Sequence, residues 1–346
     1  MHRAVLRTAG TFEIQTAPVP APGPGEALLR VRAVGVCGSD MHMFKEGQIG
    51  GIRLADSPTP LVPGHEAMAV VEEVGPGVPA ELRGRRIAIE PAINCERCPW
   101  CLAGQSNVCP THLFLGLPPR DGAMQEYMTH PSRLCVPMSD ALSDDEIVML
   151  EPLAIAVHAL DRLAVRPGQP VLVLGAGPIG LSLLMLLADS AAGPVIVSDK
   201  LDYRLELARE LGAARTLNPA RDDVVAAVRG MTGGFGVPLV FEAVGEVQTF
   251  EQMIECAAPA GRVGVAGIPA DDRLAFRHSL ARRKVLDVLM IRRSNRTLER
   301  AAHWAIHRKL PLAKLVTHHW PLACSQEAFR TVAAYADGVV KAIINP

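Results

Sequence analysis

The sequence has few aromatic residues and almost no net charge. Of its 346 residues, 4% are aromatic, and the formal net charge at pH 7 is −1. Without a strongly basic surface, the composition gives no reason to expect a nucleic-acid partner. The N-terminal residues 1–7 contain no long apolar run, so we predict no signal peptide. We find no internal repeat or low-complexity segment. These absences predict a cytoplasmic globular protein with no nucleic-acid or membrane partner, long enough for about two domains.

Cysteine is not scarce, and half of it is concentrated in one short segment. Because secretory features are lacking, the eight cysteines favour metal binding or catalysis over disulfides. Four of them have C-x2-C-x2-C-x7-C spacing: Cys95, Cys98, Cys101 and Cys109. A tetrahedral zinc–sulfur site could fix such a loop. An iron–sulfur cluster is the alternative, although the last gap is seven residues rather than three. We predict a structural zinc site.

A glycine motif in mid-chain follows a short apolar strand. Val171–Leu174 predicts a buried strand, and Gly175, Gly177 and Gly180 follow with G-x-G-x-x-G spacing before an apolar helix. This pattern permits a tight turn, close approach to a pyrophosphate, and close packing of helix on strand. Residues 171–188 carry no charge, so a membrane span is the alternative. We favour a dinucleotide-binding unit, with Pro178 and Ile179 also in the phosphate loop.

The segments that follow the glycine motif support this interpretation. A second apolar run ends at Asp199, at the distance where a carboxylate binds the adenosine ribose. An amphipathic helix over 203–213 comes next, and 237–245 and 261–268 predict further parallel strands. Alternation of strands and helices predicts an α/β doubly wound sheet of the Rossmann type.

The N-terminal part predicts a β-rich, barrel-like domain with a second candidate metal site. Apolar runs separated by Pro/Gly turns occupy residues 3–35. Cys37, His65 and Glu66 then offer a thiolate, an imidazole and a carboxylate. Three such ligands with one open position are typical of catalytic zinc. A packed thiol and an ordinary loop histidine are the alternatives.

Several of these motifs occur in the order seen in a known family. They are Cys37-Gly-Ser-Asp-x-His42, Pro63-Gly-His-Glu66, the four cysteines, Leu150-Glu-Pro-Leu153 and Gly175-Ala-Gly-Pro-Ile-Gly180. In this respect the chain resembles the zinc-dependent medium-chain dehydrogenases along essentially its whole length. Residues 42–50 and 114–122 resemble the sorbitol (polyol) dehydrogenases. The animal enzymes, however, mostly lack the four cysteines found here within residues 95–109. The resemblance implies a GroES-like catalytic domain at 1–153 and 291–346, and an NAD-binding domain at 154–290.

The resemblance also implies roles for individual residues. Cys37, His65 and Glu66 would hold catalytic zinc, with Glu151 as an occasional or water-bridged ligand. Asp40 would orient His65, and Ser39 and His42 would relay the proton. The implied cofactor-binding residues are Gly175, Gly177, Pro178, Ile179, Gly180, Asp199, Lys200, Arg204, Val244 and Gly267. The implied substrate residues are Ser39, Phe44, Phe114, Glu151 and Arg292.

The implied activity is oxidation of a secondary hydroxyl of a sorbitol- or xylitol-like polyol by NAD. It would use two zinc ions per chain, in a homo-oligomer, dimer or tetramer. An L-threonine 3-dehydrogenase or another zinc alcohol dehydrogenase remains an alternative within the enzyme class. A catalytically silent dinucleotide-binding protein is the alternative from another class.

Overall fold

In a computed structural model, which describes residues 1–57, 59–190 and 192–346, the chain divides into two units. Unit 1 comprises residues 1–151 and 298–346, and unit 2 comprises residues 152–297. The domain boundary expected near residue 290 therefore falls inside unit 2. That unit also includes the segment after its last strand, up to Thr297.

The first part of unit 1 is rich in short strands, as the Pro- and Gly-punctuated sequence predicts. Its strands are β1 (His2–Thr8), β2 (Thr11–Thr16), β3 (Glu26–Gly35), β4 (Gln48–Ile49), β5 (Ile52–Arg53), β6 (Glu66–Val74), β7 (Arg86–Ile89), β8 (Ala92–Ile93), β9 (Leu113–Phe114), β10 (Tyr127–Pro131) and β11 (Cys135–Pro137). Its helices are α1 (Gly38–Glu46), α2 (Pro99–Leu102) and α3 (Asp144–Val148). Helix α4 (Leu150–Leu163) begins here and continues into unit 2.

Unit 2 alternates strands and helices. Its strands are β12 (Val171–Leu174), β13 (Val195–Ser198), β14 (Arg215–Leu217), β15 (Val237–Glu242), β16 (Ala257–Val265) and β17 (Asp287–Met290). Its further helices are α5 (Pro178–Asp189), α6 (Asp202–Glu210), α7 (Val224–Met231), α8 (Val247–Cys256) and α9 (His278–Lys284). The chain then returns to unit 1 with α10 (Leu298–His307), β18 (Val316–Pro321), α11 (Ser325–Ala334) and β19 (Lys341–Asn345).

The largest sheet of unit 1 joins strands from residues 26–137 to the C-terminal strands β18 and β19. Its order is β11-β7-β6-β3-β19-β18, with β10 paired to β3. Strand β3 pairs antiparallel with both β6 and β19, so the start of β6 and the C-terminal strand lie on either side of it. The metal-ligand motifs lie at the end of β3 and the start of β6. The β-rich fold predicted for this part is confirmed.

The sheet of unit 2 is parallel and has the order β14-β13-β12-β15-β16-β17. The order reverses between β12 and β15, which is where Rossmann-type sheets bind dinucleotides. All four residues of β12 are buried, as expected for a central parallel strand covered on both faces. The predicted doubly wound sheet is confirmed.

The uncharged segment 171–188 is divided between β12 and the 12-residue helix α5. Among the described residues, no helix combines the length and the apolar composition that crossing a bilayer requires.

Candidate functional site

The first candidate site begins where β3 ends and α1 starts. Cys37 is the N-cap residue of α1. Its backbone N–H donates to Asp40 Oδ2 at 2.9 Å, so a carboxylate in the first turn fixes the conformation of the cysteine. Asp40 is itself buried.

His65 and Glu66 enter the same site from the start of β6. Gly64, immediately before them, has φ 95°, and a Cβ there would lie 2.7 Å from Val34 Cγ1. Only glycine therefore suits this turn. The ligand atoms of Cys37, His65 and Glu66 all lie within 4.8 Å of one another. Sulfur, nitrogen and oxygen donors at such distances fit a zinc ion with an open coordination position.

Two neighbours define the orientation of the His65 ring. Asp40 Oδ1 lies 3.6 Å from His65 Nδ1, and Ser39 Oγ lies 3.5 Å from His65 Nε2. A carboxylate beside Nδ1 leaves Nε2 as the donor nitrogen for a metal. The hydroxyl of Ser39 is thus held at the metal-binding side of the imidazole.

The electrostatics of the site favour a bound cation. Burial would lower the pKa of His65, but the charges of Asp40 and Cys37 outweigh it and raise the pKa well above its usual value. Burial raises the pKa of Glu151 to about 8. Glu151 Oε2 is buried without a hydrogen-bond partner among the described residues. Such an orphaned oxygen fits a site in which a metal or a metal-bound ligand supplies the missing partner.

Lys341 is a member of this site that the sequence analysis missed. Its Nζ lies 2.5 Å from Glu66 Oε2, and both side chains are 1% exposed. Nζ also donates to the backbone oxygen of Val36 at 3.2 Å. The lysine is 275 residues from Glu66 in the chain, so no local motif could reveal the pair. Gly35, which pairs with Glu66 across the sheet, leaves the space that this carboxylate occupies.

The second candidate site lies in the cysteine-rich lobe. The sulfur atoms of Cys95, Cys98, Cys101 and Cys109 lie within 4.8 Å of one another. Cys98 caps α2, and Cys101 N–H points to its sulfur at 3.4 Å. Hydrogen bonds from the backbone of Arg97 and Cys98 lower the pKa of Cys95 to about 6. This favours the thiolate, which is the form that binds metal.

The predicted cofactor residues of unit 2 lie at the carboxyl ends of its parallel strands. Gly175 follows β12 with φ 100°, and Gly177 precedes α5, whose first residues are Pro178, Ile179 and Gly180. A Cβ on Gly180 would overlap the backbone oxygen of Gly175, so this glycine is needed for helix α5 to approach the turn. The N-terminus of α5 therefore lies where a pyrophosphate can accept its N–H groups.

Two charged side chains, those of Asp199 and Arg204, lie beside this glycine turn. Asp199 Oδ2 accepts a hydrogen bond from Ala176 N–H at 2.7 Å, which ties the carboxylate to the turn. The Arg204 guanidinium lies 3.7 Å from the position of a Cβ on Gly177. Lys200 forms an ion pair with Glu246 at 3.1 Å.

Glu242, at the end of β15, was also missed from the sequence. Its Oε1 accepts hydrogen bonds from Val244 N–H at 2.9 Å and Gly245 N–H at 2.8 Å. Burial raises the pKa of Glu242. A Cβ at position 267 would overlap the same carboxylate, so only glycine fits there. The buried acid thus fixes the loop that carries Val244.

The remaining predicted site residues differ in their surroundings. The Phe114 ring lies 5.1 Å from the His65 ring, beside the first site. Phe44 instead lies in the core of unit 1, with its ring 5.4 Å from that of Phe329. It lies on the buried face of α1, so its expected substrate contact is not supported. His42 bonds to Glu46 at 2.9 Å. Arg292 is exposed after β17.

Two family models match separate parts of the chain. Residues 23–140 match the alcohol dehydrogenase GroES-like domain, and residues 178–306 match the zinc-binding dehydrogenase family. Sorbitol dehydrogenase of Gallus gallus is 34% identical over 94% of this chain and 92% of its own length. L-idonate 5-dehydrogenase of Vitis vinifera is 32% identical over 97% and 92%. An alcohol dehydrogenase of E. coli complexed with NADH has a TM-score of 0.91 and 26% identity, covering 100% and 99%.

The chain therefore belongs to the zinc-dependent medium-chain alcohol dehydrogenase family. This confirms the predicted GroES-like and Rossmann-type fold, the oxidoreductase class, and zinc and NAD as cofactors.

Proposed function

We propose that the protein oxidises a secondary hydroxyl of a polyol, of the sorbitol or xylitol type, with NAD+. The observation that carries this proposal is the convergence of Cys37, His65 and Glu66, with Ser39 at the His65 ring. Relatives named sorbitol and L-idonate 5-dehydrogenase support a polyhydroxylated substrate. A silent dinucleotide-binding protein would have no need of an intact ligand set.

We propose that residues 1–153 and 291–346 form the catalytic zinc domain and residues 154–290 the NAD-binding domain. Cys37, His65 and Glu66 would hold the catalytic zinc, with Glu151 as an additional or water-bridged ligand. Cys95, Cys98, Cys101 and Cys109 would hold the structural zinc. When bound, zinc polarises the substrate hydroxyl and NAD+ supplies the hydride acceptor.

The protein itself would remove the proton of the alcohol. Ser39 is the first acceptor, because its hydroxyl is held beside the donor nitrogen of His65. His42, one helical turn further along α1, passes the proton toward solvent. Asp40 keeps the His65 ring in place during this transfer.

NAD+ would be preferred over NADP+. Asp199 is anchored at the glycine turn, where it can accept hydrogen bonds from the ribose hydroxyls and repel a 2′-phosphate. Lys200, which could otherwise attract that phosphate, is paired with Glu246. Arg204 lies at the turn itself, and we assign it to the pyrophosphate. Val244 and Gly267, on the loops after β15 and β16, would flank the nicotinamide.

Phe114 and Arg292 remain proposed substrate residues, together with Ser39 and Glu151. Phe114 is supported by its contact with His65. The support for Arg292 is its exposure and the resemblance to polyol dehydrogenases.

We also propose that the protein is a cytoplasmic homo-oligomer, a dimer or tetramer. Strand β17 is the last strand of the sheet in unit 2. Val285 and Met290, at either end of it, are 75% and 61% exposed. An edge strand flanked by exposed apolar side chains can pair with a second chain.

A substrate and cofactor panel tests the proposal. Sorbitol, xylitol, L-threonine and ethanol are each assayed for NADH or NADPH formation, with Cys37→Ser as the inactive variant and Cys324→Ser as its control. We expect polyols with NAD+ to exceed threonine and ethanol in kcat/KM by about tenfold or more. Preference for threonine would favour the alternative enzyme, and no turnover with any alcohol would favour a silent protein.

A further inference from the structure

One side of helix α1 carries a row of groups that can exchange protons. Ser39, His42 and Glu46 occupy positions i, i+3 and i+7, so they lie along one side of the helix. Ser39 and His42 are half-buried and Glu46 is exposed, so the row leads from the candidate metal site to solvent. Met41, Met43 and Phe44 of the same helix are buried in the core and keep the helix in place.

Glu46 makes a specific contact with one nitrogen of His42. Its Oε2 lies 2.9 Å from His42 Nδ1. An ionised carboxylate can only accept, so the hydrogen of a neutral His42 ring must be on Nδ1. Gly47 ends the helix with φ 67°, and its N–H bonds to Met43 O, so the backbone of Glu46 is well fixed. Nε2 then remains as the acceptor nitrogen of the ring.

We infer that Glu46 is a positioning residue of the proton-release path, which holds His42 in its Nδ1–H form. The inference rests on the proposed function, in which His42 receives the alcohol proton. The proton binds to Nε2 and makes an imidazolium, which the Glu46 carboxylate stabilises. The imidazolium then releases the Nε2 proton to water, which restores the Nδ1–H form, so protons balance and no further reactant is needed.

The competing explanation is that the contact is an ordinary i,i+4 pair that only supports the helix. Such a pair would fix the same tautomer and affect stability, but its loss would leave kcat unchanged. Free histidine in water prefers the Nε2–H form. The tautomer of His42 therefore tests whether Glu46 fixes the ring, and the kcat of the Glu46 variants distinguishes the two explanations.

The first experiment is ¹⁵N NMR of histidine-labelled protein at a pH where His42 is neutral. His42→Gln identifies its signals among the 11 histidines. We expect Nδ1–H in the wild type and in Glu46→Gln, whose amide oxygen still accepts, and a shift to Nε2–H in Glu46→Ala. Asp56→Ala, which removes a similar exposed pair with Arg53, is the control and should leave the His42 signals unchanged. An Nε2–H wild type, or an unchanged tautomer in Glu46→Ala, would overturn the inference.

The second experiment measures polyol oxidation by the same variants. Glu46→Ala should lower kcat by about tenfold, less than the ~10²–10⁴-fold contribution of a general acid–base group itself, because His42 remains in place. KM should stay within about twofold, because the substrate is not contacted. Glu46→Asp and added imidazole should restore part of kcat. Equal kcat in Glu46→Ala and Asp56→Ala would contradict the inference. If the wild type oxidises no polyol, the proposed function fails, while the NMR result still decides the role of Glu46 toward His42.

Discussion

The two candidate zinc sites are built in opposite ways. The four-cysteine site comes from one segment of fifteen residues, 95–109, which also exposes Trp100, Leu102 and Val108. The other site combines the ends of β3 and β6 and is joined by Lys341 from the C-terminal strand. The local site has little core beneath it, whereas the other lies against the buried core of unit 1. Under our proposal, metal would stabilise the fold in the first case, whereas the fold would position the metal ligands in the second.

The largest effect should come from removing one ligand of the site formed by Cys37, His65 and Glu66. Cys37→Ser should reduce turnover on the order of a thousandfold, since Lewis-acid polarisation contributes several kcal/mol to such reactions. Its melting temperature should stay close to that of the wild type, because the core around the site does not depend on the metal. Polyol oxidation and thermal unfolding are compared with Cys324→Ser, a cysteine outside both sites. A large loss of stability in Cys37→Ser would contradict the distinction between the sites.

Removing one ligand of the four-cysteine site should lower stability more than turnover. Cys98→Ser should lower the free energy of unfolding by about 3 kcal/mol, as expected when a structural metal is lost. The kcat of the protein that remains folded should change little, because the lobe supplies no catalytic group in our proposal. Calorimetry and active-site-normalised kcat measure the two quantities. Normal stability with impaired kcat would reverse the roles that we assign to the sites.

A third variant separates proton transfer from metal binding at the site of Cys37, His65 and Glu66. Ser39→Ala leaves all three ligands in place but removes the hydroxyl that lies 3.5 Å from His65 Nε2. We expect kcat to fall roughly hundredfold, at the lower end for general acid–base groups, with zinc content and NAD+ affinity unchanged. His42→Ala should be milder, because small bases in solution can replace a group nearer to solvent. Wild-type kcat in Ser39→Ala at neutral pH would show that this serine only forms the turn.

The sequence was sufficient where the determining contacts are local. The spacing of Cys95, Cys98, Cys101 and Cys109, and the glycines after β12, specify short segments whose conformation depends on few other residues. The proposed zinc ligands Cys37, His65 and Glu66 were suggested by their donor atoms and supported by the family resemblance, but their proximity depends on the pairing of β3 with β6.

Other features depend on packing that the sequence pattern does not encode. Lys341 reaches Glu66 only through the pairing of β19 with β3. Glu242 resembles an ordinary strand residue until its bonds to the following loop are seen. Phe44 lies in a stretch that resembles polyol dehydrogenases, but helical periodicity turns it toward Phe12 and Phe329. Contact between Glu46 and His42 has the right i,i+4 spacing, yet spacing alone does not identify which pairs form.

The smallest effect concerns His130, in strand β10. His130 is buried with Nε2 bonded to Glu90 O at 3.0 Å, and burial lowers its pKa to about 3. An unfolded histidine titrates near pH 6.5, so below this value the unfolded chain binds a proton that the folded chain does not. Stability is therefore fully present above pH 6.5 and falls by about 2 kcal/mol toward pH 5. Urea unfolding of His130→Gln at pH 7 and 5 should lack this part of the pH dependence, and an unchanged dependence would contradict it.

The central claim is that one chain holds a structural and a catalytic zinc at separate sites. Measurement of the metal content tests this claim most directly. Elemental analysis and an acid-labile sulfide assay are performed on the wild type, Cys37→Ser and Cys98→Ser after identical dialysis. We expect about two zinc ions per wild-type chain and about one in each variant, with no labile sulfide. Iron with labile sulfide in the wild type, or two zinc ions retained in either variant, would contradict the account.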